Sequence, residues 1–240
     1  MRLVLFFLLA AGAFAGEKAA TAPAPAPSSS ARDESLHYNI NWPSELSLGE
    51  SQLSAHSITA NGEPAHKEFQ FTVDAAVPGF EVHDQYHSLA SQDFCSTEFD
   101  KSYTHGKRKA EEKIKFDTQN NTATRETLHG GGKSDISTAA CAKDPLTYVQ
   151  FLRHELSDGR LPPPQAVIFG AAYQVRVEFA GSQTLRVGDK AVETDHLTAT
   201  IKGPSSEIAL DLYFARDAAR TPVLVKLPLS LATFSMELTR

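Results

Sequence analysis

Five consecutive residues, His83-Asp84-Gln85-Tyr86-His87, form the densest cluster of chemistry-bearing side chains in the chain. Two imidazoles and a carboxylate could serve acid–base hydrolysis or hold a metal. The spacing depends on the element. On a helix His83 and His87 would stand one turn apart; on a strand they share a face about 13 Å apart, too far for one ion. Phe80, Val82, Asp84 and Tyr86 alternate with them, so a strand with solvated histidines is expected. A hydrolase built on His83, Asp84 and His87 would need the three to converge in a pocket. His129-Gly130-Gly131-Gly132 echoes an esterase oxyanion loop, which has meaning only beside a GxSxG elbow. The sequence contains no such elbow, so the glycines read as a loop. Arg216, Asp217 and Arg220 could bind an anionic headgroup, but such a trio more often pins a turn through carboxylate–guanidinium hydrogen bonds. No catalytic, cofactor-binding or metal-binding residue is assigned.

The N-terminus reads as a secretory signal over residues 1–15. Arg2 precedes the apolar run Leu3 to Ala11, and Ala13-Phe14-Ala15 suits cleavage after Ala15. That run is too short to span a bilayer. The expected address is the periplasm or the exterior. Export gives weight to the two cysteines: Cys95 and Cys141 are a candidate disulfide. It would close a loop of about 46 residues, worth on the order of 4 kcal/mol at most in the chain-entropy model. No CxxC suggests a redox site. The net charge is −6, with both signs interspersed, which excludes the clustered basic face of a nucleic-acid binder. Residues 16–34 are an Ala/Pro/Ser-rich linker that buries nothing. With 41% hydrophobic residues, 35–240 can form a single domain with a real core.

One helix is expected. Asp144 is a good N-cap and Pro145 suits the first helical position. Leu146, Val149, Leu152 and Leu156 recur at three- and four-residue spacing and share a face. Gly159 and Pro162-Pro163-Pro164 end the element. Nearly everything else alternates with period two. Tyr38, Ile40 and Trp42 share a face, as do Phe69, Phe71 and Val73. Lys101 to Phe116 is more polar and reads as a long exposed hairpin turning at His105-Gly106. Gly130 to Gly132 reads as a loop running on to Cys141. Tyr173, Val175, Val177 and Phe179 form a strand expected to turn at Gly181. Alternation then continues through Leu197, Ile208, Val223 and Phe234. The fold class is mainly β: a curved antiparallel meander sheet, half-barrel or barrel, packed around one amphipathic α-helix.

Several phrases in order resemble a family of exported bacterial proteins of unknown function, DUF3108. They are Tyr38-Asn39-Ile40-Asn41-Trp42 with Gly49, Asp144 through Arg153, Gly170-Ala171-Ala172-Tyr173, Phe214-Ala215-Arg216-Asp217 and Arg220-Thr221-Pro222. The resemblance implies a fold similar to the curved sheet of periplasmic lipoprotein carriers, and it transfers no catalytic residue. A non-enzymatic envelope protein is therefore expected, with a lipid or other apolar ligand between the sheet and the helix face of Leu146, Val149, Leu152 and Leu156. The alternatives are an assembly module that binds another envelope protein, and a hydrolase.

Overall fold

The computed structural model of the chain describes residues 33–43, 46–58, 66–77, 79–228 and 232–239. The signal segment and nearly all of the linker lie outside them.

The period-two pattern becomes strands β1 (Glu34–Asn41), β2 (Ser47–Ile58), β3 (His66–Val77), β4 (Phe80–Ala90), β5 (Ser96–His105), β6 (Arg108–Asp117), β7 (Thr122–Thr127) and β8 (Lys133–Ser137). The single helix among the described residues, α1 (Pro145–Ser157), follows. The chain then forms β9 (Gln165–Ile168), β10 (Ala172–Val187), β11 (Lys190–Lys202), β12 (Glu207–Ala215), β13 (Pro222–Pro228) and β14 (Thr233–Leu238). All pair antiparallel in one sheet, in the order β8-β7-β6-β5-β4-β3-β2-β1-β14-β13-β12-β11-β10-β9. Two meanders are thus joined where β1 pairs with β14, Tyr38 opposite Leu238. The sheet's two edges, β8 and β9, are consecutive in sequence, and α1 lies between them in the chain.

The sheet is not closed. At one end the gap is bridged by a short segment before the helix. Ser96 N donates to Ala142 O (2.9 Å) and Ile168 N to Lys143 O (2.8 Å), so residues 142–143 touch the start of β5 on one side and β9 on the other. Cys95 and Cys141 are bonded there, S–S 1.97 Å and Cα–Cα 4.7 Å. Replacing both cysteines by serine should cost about 3 kcal/mol, somewhat below the loop-closure figure because the seam hydrogen bonds remain. In a thermal melt that is a drop of roughly 6–12 °C for a domain of this size. A drop under about 2 °C would mean that the bond does not brace the seam.

Three expectations change. Gly181 is a bulge inside one continuous strand, not a turn: the β10–β11 register shifts between Phe179 and Gly181, at a backbone φ of 141° that suits glycine. The Lys101–Phe116 hairpin does turn at Gly106, but it is not an exposed arm. Phe99 and Ile114 are 1% exposed, and Lys101 and Glu112 face inward with them. The stretch before Cys141 includes a strand, β8, pairing with β7.

Candidate functional site

The end of the half-barrel that holds α1 is organised on Asp144. Its Oδ1 accepts from the Leu146 and Thr147 amides at 2.9 and 3.1 Å, which satisfies two of the helix's first N–H groups. Its Oδ2 meets the hydroxyls of Ser88 (2.6 Å), Ser96 (2.5 Å) and Thr147 (2.8 Å). Asp144, Ser88, Ser96 and Thr147 are all completely buried. Ser88 is in β4 and Ser96 opens β5, so one carboxyl bolts the helix start to two strands. Burial pushes that carboxyl above the usual carboxylate range, against the pull of the donors around it.

Around this bolt lie two buried lysines. Lys143 Nζ sits 4.3 Å over the Phe151 ring and Lys67 Nζ 3.3 Å over Phe94. Burial holds both ammoniums below the usual lysine range. One turn from the helix end, Arg153 forks onto Glu34 (2.6 and 2.9 Å) and reaches the carbonyls of Ala219 and Arg220. Leu146 packs into one core cluster, with Phe69, Phe99 and Ile168. Leu152 and Leu156 pack into another, with Val175, Leu197 and Phe214. Val149 is half-buried. The helix face is therefore occupied by the protein's own side chains.

The opposite end differs. Cross-strand register sorts the inward-facing residues of the first meander into rows. The row nearest the helix, Ala55, Phe69, Ser88, Phe99 and Ile114, is buried throughout. The next, Leu53, Phe71, Tyr86, Lys101 and Glu112, is buried only at its ends; Phe71 and Tyr86 are half-buried. In the last, Ile40 faces Gly49, then Ala75, then Val82, and all four are half-buried. Met236 and Val225 continue this row across the β1–β14 junction and are half-buried too. Inward-facing apolar residues of these two rows thus stay partly exposed, although the row between them, Tyr38, Ser51, Val73 and Asp84, has Tyr38, Ser51 and Asp84 buried. That end has apolar side chains on its wall and, among the described residues, no helix over it. Trp42, the only tryptophan of the chain, stands just past β1, edge-on to Phe234 at 4.9 Å.

One wall of this open end carries charge. Lys101 Nζ and Glu112 Oε2 are 3.0 Å apart, and Arg125 Nη2 meets Glu112 Oε1 at 2.9 Å. These two cations hold the Glu112 carboxyl below its usual range despite its burial. The turn between β9 and β10 reaches over them. Arg125 Nη1 contacts Gly170 O at 3.4 Å, and Lys101 Nζ is 4.5 Å from the Phe169 ring centre. Gly170 has φ 75°, and a Cβ there would lie 3.1 Å from Glu112 Oε2, so glycine fits on both counts. Phe169 also packs against Tyr86 and Phe99 at 6.0 and 5.9 Å. Asp84, further along the wall, is engaged by His105 (2.8 Å) and the Tyr86 hydroxyl (3.1 Å).

The sequence cluster at His83, Asp84 and His87 does not converge. Asp84 faces inward, whereas His83 and His87 face outward, paired with Asp74 (2.6 Å) and Glu68 (2.7 Å) of β3. A hydrolytic site on these three is removed by the strand's own alternation. His129 pairs with Glu111 at a turn. Arg216 and Arg220 both bind Asp195 (2.7 and 2.8 Å), and Asp217 accepts from Thr221; the trio pins the turn between β12 and β13. Among the described residues no group of three His, Cys, Asp or Glu is placed to hold a metal ion. A concavity of about 560 Å³ borders the outer face of β3 to β6, with Gln70, Gln85, His87, Asp100 and Lys113 on its rim. Sequence reasoning missed Lys101, Glu112, Arg125 and Phe169. The available signal was that Lys101 shares the parity of Phe99 and Tyr103 within β5.

A family model described as a protein of unknown function, DUF3108, matches residues 36–239. No curated protein matches. Among solved structures, a crystal structure of a "Beta-barrel-like Protein of Domain of Unknown Function DUF1849 from Brucella abortus" superposes with a TM-score of 0.59. The two share 8% identity, over 86% of this chain and 95% of that one. At that identity the likeness is one of fold alone.

Proposed function

The chain belongs to the DUF3108 family of proteins of unknown function, and on that premise we propose that it is an exported, non-enzymatic protein that holds an apolar chain in the open end of its half-barrel. The observation that carries this reading is a set of inward-facing apolar residues that the protein's own side chains leave partly exposed. Ile40, Phe71, Val82, Val225 and Met236 face inward and yet stay half-exposed, and each methylene laid against them would gain about 0.8 kcal/mol. The ligand thus lies beyond the helix, not between helix and sheet. Non-enzymatic action fits the polar groups described above, whose bonds are spent on turns, caps and ion pairs. Export fits the disulfide and the apolar N-terminal run. Among the described residues no helix is long and apolar enough to cross a membrane.

The test is titration of delipidated protein with a long-chain fatty acid, followed by Trp42 fluorescence and native mass spectrometry. Met236→Glu and Val82→Glu set a carboxylate into the apolar wall and should weaken binding more than about tenfold, with far-UV circular dichroism unchanged. Wild-type protein that takes up no acyl chain by either method sinks the reading.

A second reading, an assembly module for an envelope partner, rests on β8. It is an edge strand of the sheet and exposed at four of five positions, the kind of edge that accepts an added strand. It predicts that slowed amide exchange on adding envelope extract maps to 133–137 and not to the open end.

A further inference from the structure

We infer that the apolar chain held in the open end carries an anionic head, a carboxylate or phosphate, bound at Lys101 and Arg125. The inference rests on the reading above and adds the class of ligand. Along one inward row, register places Leu53, Phe71 and Tyr86 directly before Lys101 and Glu112. Arg125 stands one strand further on, bound to Glu112. The wall is therefore amphipathic along a single line across the sheet. A chain lying over Tyr86 and Phe71 would bring its head to the two cations.

The placement of the two cations supports an anion. Lys101 and Arg125 share one carboxylate, Glu112. The other inward carboxylate of this wall, Asp84, spends both oxygens on His105 and Tyr86. Counted with Asp84 the wall is neutral, so the case for an anion rests on the two cations standing side by side at the end of the apolar row. Arg125 also has a buried Nε with no acceptor, while the side chain as a whole is 33% exposed, so that a ligand meets other parts of it. A purely structural clasp for the β9–β10 turn would use the bond from Arg125 to Gly170 O and the contact of Lys101 with Phe169, but it would leave the Arg125 Nε donor without an acceptor. An anionic oxygen beside Lys101 and the exposed part of the Arg125 guanidinium would be met by both cations, and such charge-assisted bonds are short and directional.

The experiment compares palmitate, hexadecyl phosphate and hexadecanol, with acetate and inorganic phosphate as chainless anions, on delipidated full-length protein. One or both anionic chains should bind about tenfold more tightly than the alcohol. Lys101→Gln and Arg125→Gln should remove that preference while leaving alcohol binding within about twofold, and Arg125→Lys should retain part of it. Equal affinity for acid and alcohol in the wild type overturns the head site but leaves the apolar reading standing. Equal losses for acid and alcohol in both glutamine variants do the same. Uptake of none of the three chains removes both readings. Displacement of palmitate by millimolar acetate or phosphate alone would make the site one for free anions and would overturn the amphiphile.

Discussion

Asp144→Ala should be the most damaging single change in the domain, lowering its stability by about 5 kcal/mol. About 1 kcal/mol is the ordinary loss of an N-cap. The remainder comes from what is left behind. The Ser96 hydroxyl and the amides of Leu146 and Thr147 would face a small cavity with no acceptor, and of the Ser88 and Thr147 hydroxyls, which bond each other, one would lose its acceptor too. Buried polar groups stranded in this way cost about 1–3 kcal/mol each before relaxation. Urea unfolding would show it as a lower midpoint. Loss of under about 1.5 kcal/mol would mean that the bolt between helix and sheet is ornamental.

The protonation of this carboxyl gives a sharper form of the same prediction. Four short O···O contacts join Asp144 Oδ2 and the three hydroxyls, the fourth being Ser88 Oγ to Thr147 Oγ1 at 2.9 Å. Three hydroxyls bring three protons. A proton on Oδ2 supplies the fourth, so that every contact carries one. This geometry agrees with a carboxyl pushed up by burial. A folded-state pKa above the unfolded value of about 3.9 means that the native state keeps its proton longer. The resulting stability is complete below the unfolded value and is lost as pH rises through the folded one, above the usual carboxylate range. Asp144→Asn keeps a hydrogen-bonding group of the same shape and does not titrate, so it should cost about 1–2 kcal/mol. Its deficit relative to wild type should narrow as pH rises. A deficit that widens with pH would show the carboxyl to be ionised in the fold.

How much of this was legible in the sequence depends on how local the cause is. The helix was, because its cap, first-turn proline, apolar spacing and terminating glycine all lie within Asp144 to Gly159. The long strands of the second meander were, because ten or more alternating residues leave little choice of period. β8 and β9 were not: five and four residues carry too little alternation to separate a strand from a loop. Gly181 was misread because glycine serves turns and bulges alike, and only the partner strand's register tells them apart. The charged wall was hidden for a related reason. Lys101, Glu112 and Arg125 sit on three strands, each of which reads alone as a solvated face, and only the pairing of those strands sets them together on the inner face. The same holds for Asp144, whose partners Ser88 and Ser96 lie 56 and 48 residues away.

Arg153→Ala should be nearly as costly as the loss of Asp144, about 4 kcal/mol. Arg153 is 7% exposed and is the residue through which the helix holds both meanders. Its guanidinium forks onto Glu34 at the start of β1. Its Nε reaches the Ala219 and Arg220 carbonyls between β12 and β13, and Gln150 accepts from Nη1 one turn back at 2.9 Å. Nearby, the buried Tyr38 hydroxyl donates to Pro222 O at 3.0 Å, tying β1 to the start of β13. Alanine would leave the Glu34 carboxylate, three-quarters buried, without its cation and two carbonyls without donors. Removing both charges is a different matter, because a buried ion pair replaced by apolar groups of similar volume is often near neutral. Arg153→Met with Glu34→Leu should therefore recover at least about half of the loss, and the double-mutant cycle should give a coupling of about 2 kcal/mol or more. If Arg153→Ala and the double variant unfold at the same urea concentration, the fork to Glu34 is not what joins helix to sheet. The carbonyls of the β12–β13 turn would then carry that role alone.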